Sequence, residues 1–435
     1  MVDLELLRAK LAESQALRAK GRVVGVTGMT VRITLPGARI GDVVLIRRSK
    51  GTLAAEIVGF DSGTAITVPV GDVVGVGIDD EVEGTGEGLM VQAGEALLGW
   101  VLDGLGRPLD GSKLPSGLVP VPVDRAPPNP LLRSPVCAPL ATGVRVVDSL
   151  LTLGVGQRIG LFAGSGVGKS LLLGAMARGT SADVTVVALV GERGREVQEF
   201  LDNSLGALGR ERAVVVVATS DAPPIERLRA AQVATALAEF FRDAGKNVLL
   251  LVDSITRVAR AQREIGLAAG EPPARRGFPP SVFTMLPRLL ERSGQGSTGS
   301  ISAIYAVLVE GGDMEEPISD EVRGIVDGHI ILNRALAARG HYPAVDVPHS
   351  LSRVMPKVVT KAHLKAAEAV RASIARYEAH RDVITLGAYE TGTDRALDRA
   401  ILAKPSIDAF VTQGPEESAD FALTLESLTA LAAGL

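Results

Sequence analysis

The sequence predicts an α/β protein with a mainly parallel sheet at its centre, a small β-barrel before it and a helical domain after it. Two patterns carry this prediction. From residue 140 to about 345, apolar runs alternate with glycine loops and helical stretches, as in ADVTVVALVG and NVLLLVDS. Because these runs are apolar without alternation, we expect strands buried on both faces, as in a parallel sheet covered by helices. Residues 21–92 show short alternating strands with glycine turns, which is typical of a small barrel, and the chain beyond 355 is mostly helical.

The bulk composition restricts the class of protein. The chain has 435 residues, of which 46% are hydrophobic and 22% charged, so we expect two or three globular domains. A net charge of -4 and an aromatic content of 3% provide no general basic or stacking surface, so no nucleic-acid partner is expected. The single cysteine, Cys137, excludes an internal disulfide and fits a reducing compartment. With no signal peptide and no membrane-spanning run, we expect a cytoplasmic protein.

The N-terminal segment, residues 1–20, is predicted to form a short amphipathic helix. Leu4, Leu7 and Leu11 share one face of this helix, and charged residues occupy the other. The periodicity fits a helix that packs on its own domain as well as one that docks on a partner, so both interpretations stay open.

A proline-rich stretch, residues 107–139, follows the barrel segment. Proline donates no backbone hydrogen bond, so we expect no regular structure here. We interpret the stretch as an ordered strap that crosses from the barrel to the next domain.

A glycine-rich loop lies between an apolar strand, RIGLFA, and an apolar helix, SLLLGAMAR. Glycines let the backbone approach a ligand, and consecutive N–H groups at a helix start suit a phosphate chain. We expect Lys169 to reach the β and γ phosphates and the Ser170 hydroxyl to ligate Mg²⁺. The strict motif begins with glycine where this chain has Ala163, which is a minor departure. The predicted nucleotide-binding residues of the loop are Gly164, Ser165, Gly166, Val167, Gly168, Lys169, Ser170 and Leu171.

Two carboxylates follow other predicted strands of the same sheet. Asp253 ends the strand in NVLLLVDS and fits a role in holding Mg²⁺ through water, although an aspartate there also serves as a helix cap. Glu192 comes at the end of VVALVGE, where a carboxylate near the γ phosphate can orient and partly deprotonate water. Arg193 and Arg195 follow it and are either charge clamps for catalysis or salt-bridge partners.

Taken together, these segments resemble the rotary-type ATPase superfamily and, within it, the ATPases of type III protein export, flagellar or injectisome. The resemblance covers nearly the whole chain, most loosely before residue 90 and after 400. The segments that carry it are LFAGSGVGKSLLLG (161–174), VGERGREVQEF (190–200), residues 249–294, residues 310–347 and SLSRVM (350–355). It implies a RecA-like P-loop ATPase core at residues 93–345, after the barrel at 21–92 and before a helical C-terminal domain at 346–435.

The resemblance also assigns roles to particular residues. It implies that Glu192 is the catalytic carboxylate, with Lys169 and Arg193 beside it. Tyr342, in HYPAVDV, is expected to stack on adenine, where core packing is the alternative. Arg353, in SLSRVM, falls where the superfamily carries an arginine finger that reaches into a neighbour's site, and a surface arginine is the alternative.

A finger that acts in a neighbouring site requires more than one copy, and a closed head-to-tail ring follows from it. The family implies a homo-oligomer of six copies, stator and stalk partners, chaperone–cargo complexes and peripheral association with the membrane export apparatus. It places the segment EPPARRGFPPSV toward the pore, where Arg275, Arg276 and Phe278 contact a substrate or a stalk protein, unless the segment is only a proline-stiffened loop.

The function implied is Mg²⁺-dependent ATP hydrolysis that energises type III protein secretion, with chaperone release and cargo unfolding. A catalytic subunit of a rotary ATP synthase is an alternative, but the acidic segment of such subunits is missing at residues 387–401. A hexameric RNA translocase is a second alternative, but Phe60 is the only aromatic residue in 21–92. A nucleotide-binding subunit without catalysis would be expected to lack Glu192. Flagellar and injectisome systems are not separated by the sequence.

Overall fold

The computed structural model describes residues 18–49, 51–309 and 312–435. The predicted N-terminal helix of residues 1–20 lies outside the described residues up to residue 17, and Lys20 already belongs to the first strand.

The described chain begins with a closed β-barrel. Its strands are β1 (Lys20–Thr27), β2 (Thr30–Thr34), β3 (Val43–Arg48), β4 (Gly51–Asp61), β5 (Thr64–Pro69) and β6 (Glu81–Gly84). They pair in the order β1-β2-β5-β4-β3-β6, and the antiparallel pairing of β1 with β6 closes the barrel. Alternating residues such as Val31, Ile33, Val44 and Ile46 fill its interior, which is the period of two that predicted it.

The remaining strands build the central sheet and two short ribbons. They are β7 (Met90–Ala93), β8 (Val101–Asp103), β9 (Val119–Pro122), β10 (Pro139–Leu140), β11 (Leu153–Gly154), β12 (Arg158–Ala163), β13 (Val184–Glu192), β14 (Ala213–Thr219), β15 (Asn247–Asp253), β16 (Gly294–Gln295), β17 (Ser300–Leu308), β18 (Gly328–Leu332) and β19 (Leu351–Ser352). Within the described residues the central sheet has nine strands, ordered β19-β18-β12-β17-β15-β13-β14-β8, with β16 paired to β17. All neighbours from β18 to β8 in this order are parallel, and the predicted α/β class is confirmed.

Helices cover both faces of the sheet and form the end of the chain. They are α1 (Arg145–Leu150), α2 (Lys169–Gly179), α3 (Gly194–Glu199), α4 (Gly206–Glu211), α5 (Pro224–Asp243), α6 (Ile255–Ala268), α7 (Pro280–Leu290), α8 (Pro317–Ile325), α9 (Arg334–Ala338), α10 (Met355–Val358), α11 (Lys361–Thr385), α12 (Arg395–Val411) and α13 (Phe421–Ala433). One face of the sheet packs on α5, α6 and α7, and the other packs on α2 and on residues of α11, α12 and α13. Since both faces are covered, the strands are buried almost throughout, as their continuous apolar runs predict. In the part of the chain that the structure describes, no helix combines the length and the apolar character needed to cross a bilayer.

The proline-rich strap is more regular than the sequence predicts. β9 pairs antiparallel with β7, with Pro120 opposite Gln92 and Pro122 opposite Met90. Hydrogen-bonded and non-hydrogen-bonded pairs alternate in such a ladder, so prolines at every second position leave the donating N–H groups to Val119 and Val121. The expectation of no regular structure in residues 107–139 was therefore wrong for this short strand.

An ionic cluster around a buried arginine, which we call the barrel latch, joins the barrel to the sheet domain. Arg229 on α5 is 4% exposed and pairs with Glu56 of β4 on one side. Its second partner is Asp124 in the strap, at 2.8 Å. The latch thus ties together three segments that are far apart in sequence.

Candidate functional site

The glycine-rich loop connects the carboxyl end of β12 to the start of α2, as predicted. Gly166 and Gly168 have φ angles of 75° and 87°, the left-handed region that glycine adopts without steric cost. Ala163 is still in the strand, paired with Leu308 and Leu332, and its side chain is buried. Alanine is tolerated at this motif position because the tight turn begins only after it.

Lys169 lies between two carboxylates from other strands. Its Nζ forms an ion pair with Asp253, the last residue of β15, and lies 3.4 Å from Oε1 of Glu192, the last residue of β13. The three residues come from three segments that meet because the carboxyl ends of parallel strands share one edge of the sheet.

Asp253 is buried to 1% exposure, and its environment affects its protonation. Burial raises the pKa of this carboxyl, the positive charge of Lys169 opposes the rise, and the negative charge of Glu192 adds to it. The net direction is upward, so the ionised form of Asp253 depends on a nearby cation.

Arg257, which the sequence analysis missed, holds Glu192 in place. Its guanidinium lies 2.8 Å from Oε2 of Glu192 and also donates to the Gly191 carbonyl. Gly191 has a φ of 68° at an irregularity in the pairing of β13 with β14, and a Cβ there would lie 2.7 Å from Arg257. Such an irregularity turns the strand end and redirects the next side chain. The available signal was the spacing, because Arg257 lies one helical turn after Asp253.

A cavity of about 580 Å³, which we call the phosphate cavity, opens over the loop. Lys169, Ser170 and Glu192 line it, as does Arg193, whose side chain is 77% exposed and lies 3.4 Å from Glu196. The structure therefore places Arg193 at the rim, where it pairs with its own helix.

Arg334, which was also missed, brings a further cation to the phosphate cavity. It begins α9 at the carboxyl end of β18, and one guanidinium nitrogen lies 3.6 Å from where a Cβ of Gly164 would be. The preceding residue, Asn333, caps α9 and donates to Asp346 at 2.8 Å, which fixes the start of the helix. Among the residues that the structure describes, Arg334 has no carboxylate partner.

A smaller apolar cavity of about 130 Å³, which we call the base pocket, adjoins the loop at Gly168 and Leu171. Tyr342 forms one wall, and a Cβ on Gly168 would lie 3.2 Å from its ring. Residues 413–415, from the loop after α12, form another wall, which the sequence analysis did not anticipate. Tyr342 is 38% exposed, so its ring is open to a ligand and is not core packing.

Arg353 lies at the opposite end of the strands from the loop, where β12 begins. Its backbone N–H donates to the Asp327 carbonyl at 3.0 Å, and the Asp327 N–H donates to Arg158, the first residue of β12. The loop follows the last residue of β12, and six strand residues separate the two ends by about 16 Å. Arg353 is exposed and is not among the described residues that line its own phosphate cavity.

The proline-stiffened segment after α6 presents its residues unequally. Phe278 is buried to 5% exposure, with the Arg263 guanidinium 5.3 Å from its ring centroid. Arg276 pairs with Asp313 at 3.0 Å, and Arg275 lies 3.7 Å from Glu321. The two arginines are thus surface groups, whereas Phe278 supports the segment from beneath.

The donors near Lys169 suit a divalent cation. The Ser170 hydroxyl is exposed in the phosphate cavity, and Asp253 supplies an oxygen from the strand edge. Next to it, the buried Ser254 hydroxyl has no hydrogen-bond partner in the described chain. Oxygen ligands with room for water and phosphate oxygens are the environment that Mg²⁺ prefers, so these residues fit the metal.

Two family descriptions match the chain. "ATP synthase alpha/beta family, nucleotide-binding domain" matches residues 143–352, and "T3SS EscN ATPase C-terminal domain" matches residues 359–430. The first range contains the loop, both carboxylates, Tyr342 and every strand of the central sheet except β8. The second contains α11, α12 and the loop with residues 413–415.

Individual proteins are similar over almost the full length. The "Flagellum-specific ATP synthase" of Bacillus subtilis is 51% identical over 94% of this chain and 94% of its own length. The "Type 3 secretion system ATPase" of Xanthomonas euvesicatoria is 49% identical over 98% of this chain and 97% of its own.

Solved structures agree with the sequence comparisons. The assembled ATPase EscN of the enteropathogenic E. coli type III secretion system matches with a TM-score of 0.88 and 45% identity, over 95% of this chain and all of that one. The same ATPase in complex with its central stalk EscO matches equally well.

Proposed function

The chain belongs to the family of flagellar and type 3 secretion ATPases, and on this premise we propose that it drives protein export from catalytic pockets shared between neighbouring copies. ATP hydrolysis for type III protein secretion is the activity of this family. The relatives of this chain are flagellar and type 3 secretion ATPases, which favours this activity over that of a rotary synthase subunit or an RNA translocase. The meeting of Lys169, Glu192 and Asp253 beside the glycine loop is the observation that carries the catalytic part of the proposal.

Nucleotide binding uses both cavities. The backbone N–H groups of residues 164–171 surround the phosphates, and Lys169 and Arg334 supply positive charge from two sides. The base packs against the Tyr342 ring in the base pocket. A triphosphate takes Lys169 away from Asp253 and Glu192, because its charge is larger than that of either carboxylate.

Hydrolysis needs a positioned water. Glu192, fixed by Arg257 at 2.8 Å, orients the water and accepts part of its proton while Lys169 and Arg193 stabilise the phosphoryl oxygens. Mg²⁺, held by Ser170 and through water by Asp253, supplies neutralisation of phosphate charge when bound.

The arginine finger comes from the next copy. The position of Arg353 supports this part of the proposal, because its backbone is anchored at the amino end of β12, whereas the loop follows the carboxyl end, about 16 Å farther along that strand. We place it in the phosphate cavity of an adjoining copy, which requires a head-to-tail homo-oligomer, a ring of six by analogy with the family.

Partners and location complete the proposal. EscN was solved with its central stalk, which supports a stalk partner for this chain as well. We propose that the oligomer acts in the cytoplasm at the membrane export apparatus with stator proteins, and releases chaperones and unfolds cargo. The division into residues 21–92, 93–345 and 346–435 is proposed with one adjustment. The sheet domain extends to β19, so its boundary falls just after Ser352.

The test is the change Glu192→Gln. The amide keeps the size and the hydrogen bond from Arg257 but cannot accept a proton, so hydrolysis should fall by roughly 100-fold or more while ATP affinity stays within a few-fold. Phosphate release and direct ATP binding measure the two quantities. Glu199→Gln, on the same helix α3 but paired with Arg195 and outside the phosphate cavity, is the matched control and should retain activity. Full hydrolysis by Glu192→Gln would assign the water to another residue.

A further inference from the structure

Gln413 occupies a junction between the C-terminal helices and the base pocket. It lies two residues after α12 ends and is only 6% exposed. Its backbone N–H donates to the Tyr342 carbonyl at 2.8 Å. The C-terminal region is therefore bonded directly to the residue whose ring forms a wall of the base pocket.

The side chain of Gln413 reaches the segment before α1. Its Oε1 accepts from the Arg145 N–H at 2.7 Å, and its Nε2 donates to the Gly143 carbonyl at 2.8 Å. The second Nε2 hydrogen goes to the Glu417 carbonyl at 2.7 Å, which closes the loop on itself. Through its side chain and its backbone together, Gln413 thus joins its own loop to two segments that are distant in sequence, the one before α1 and the one at Tyr342.

The amide has no free donor. An amide side chain has two N–H groups, and both are used on backbone carbonyls. Gln413 lines the base pocket but is not available to read the edge of a base. Its contribution to nucleotide binding is to fix the pocket's shape.

We propose that Gln413 is a positioning residue that makes base binding depend on the docking of the C-terminal helices. With Gln413 in place, the Tyr342 segment, the segment before α1 and residues 413–415 have one arrangement, and the base meets a preformed pocket. Without Gln413, ATP has to order these segments as it binds, and the free energy that this ordering costs lowers the affinity for ATP. Because linkage is reciprocal, a bound base in turn stabilises the docked C-terminal region. The inference rests on the proposed binding of the base beside Tyr342.

The experiment compares ATP with inorganic tripolyphosphate, which fills the phosphate cavity but has no base. In Gln413→Ala, we expect ATP to bind roughly tenfold more weakly and tripolyphosphate to bind as before, because only the base pocket loses its support. Gln413→Glu keeps the acceptor for Arg145 but loses both donors, so it should show the same selective loss. Gln262→Ala, which removes a glutamine hydrogen bond to Ser281 and does not line the base pocket, should change neither affinity.

A second measurement follows the linkage. Amide hydrogen exchange at Gln413, whose N–H donates to Tyr342, should slow when ATP binds and not when tripolyphosphate binds. The inference is overturned if both variants bind ATP like the unmodified chain, or if ATP and tripolyphosphate weaken equally, which is the result of a general loss of structure. Since binding is measured, a chain that binds ATP without hydrolysing it would remove the proposed activity and leave this test intact.

Discussion

At the residue scale, the ion pairs of Lys169 place this lysine between two anionic environments. One is protein, Asp253 and Glu192, and the other is the phosphate chain that the loop is shaped to hold. Because Asp253 is buried with a raised pKa, loss of the lysine would leave two carboxylates close together with Arg257 as the cation beside them. The lysine therefore organises the site before the nucleotide arrives as well as afterwards.

Lys169→Ala tests this double role. ATP turnover should fall below detection, a loss of at least about 100-fold, because the phosphates lose their nearest side-chain cation. Phosphate release at saturating ATP measures it, and Lys246→Ala, at a partly exposed lysine that pairs with Glu95, is the control. Turnover within a few-fold of the unmodified chain would mean that the loop does not hold the reacting phosphates.

Arg334→Ala tests the additional cation of the phosphate cavity. We expect ATP to bind about three- to tenfold more weakly, because one charge-assisted contact to phosphate is lost. Arg339→Ala removes a guanidinium from the other end of the same short helix, outside the phosphate cavity, and should bind ATP normally. Equal affinities in the two variants would leave Arg334 as a surface residue.

At the element scale, the sequence predicted those features of the site that are encoded within a single short segment. β12, the loop and α2 were predictable because apolar runs and glycines follow each other directly, and Asp253 because it ends an apolar strand. Arg334 and Gln413 reach the site from segments that adjoin the loop only after the sheet and the C-terminal helices have packed. Their local sequence contains no pattern for phosphate or base, so it could not identify them.

Asp148 in α1 shows how an element beside the base pocket is held. Its carboxylate accepts from the N–H groups of Thr142 and Gly143 and from the Thr142 hydroxyl, and it is fully buried. Burial raises the pKa of Asp148 to about 6, from 3.8 in the unfolded chain. The folded state holds the proton more tightly, so this stabilisation is complete below pH 3.8 and is lost as the pH rises through 6.

The prediction compares the unmodified chain with Asp148→Asn, which does not titrate. Between pH 5 and pH 7 the free energy of unfolding of the unmodified chain should drop by about 1 kcal/mol more than that of the variant. Denaturant unfolding at the two pH values measures it. The variant should be less stable at both, because an amide cannot accept all three hydrogen bonds. Parallel pH dependence in the two proteins would show that Asp148 does not titrate in this range.

At the scale of the whole molecule, the phosphate loop and Arg353 lie at opposite ends of the strands of one sheet. The barrel, the sheet domain and the C-terminal helices were predictable in order and class from changes in periodicity along the chain. The barrel latch was not, because Arg229, Glu56 and Asp124 are ordinary charged residues until the fold buries Arg229 and Glu56 and brings Asp124 beside them.

Mixing two inactive variants tests the shared pocket. Arg353→Ala keeps its loop and Lys169→Ala keeps its finger, so an interface with the first protein's loop and the second protein's finger is complete. Randomly mixed equal amounts should regain about a quarter of the normal ATPase rate if the sites act independently. The rate should also rise steeply with protein concentration. Mixtures that stay inactive, although they assemble, would contradict the arrangement in trans.

In the proposed head-to-tail ring, each complete pocket combines the loop of one copy with the finger of the next. An unclosed row always leaves one loop without a finger at one end and one finger without a loop at the other. The last copy to join therefore completes two pockets at once, and the full rate of ATP hydrolysis is reached only when the ring closes. In the proposed ring, loss of Arg353 from one copy stops hydrolysis in the pocket of the adjoining copy and leaves its own pocket working, so the altered residue and the inactive pocket lie in different copies.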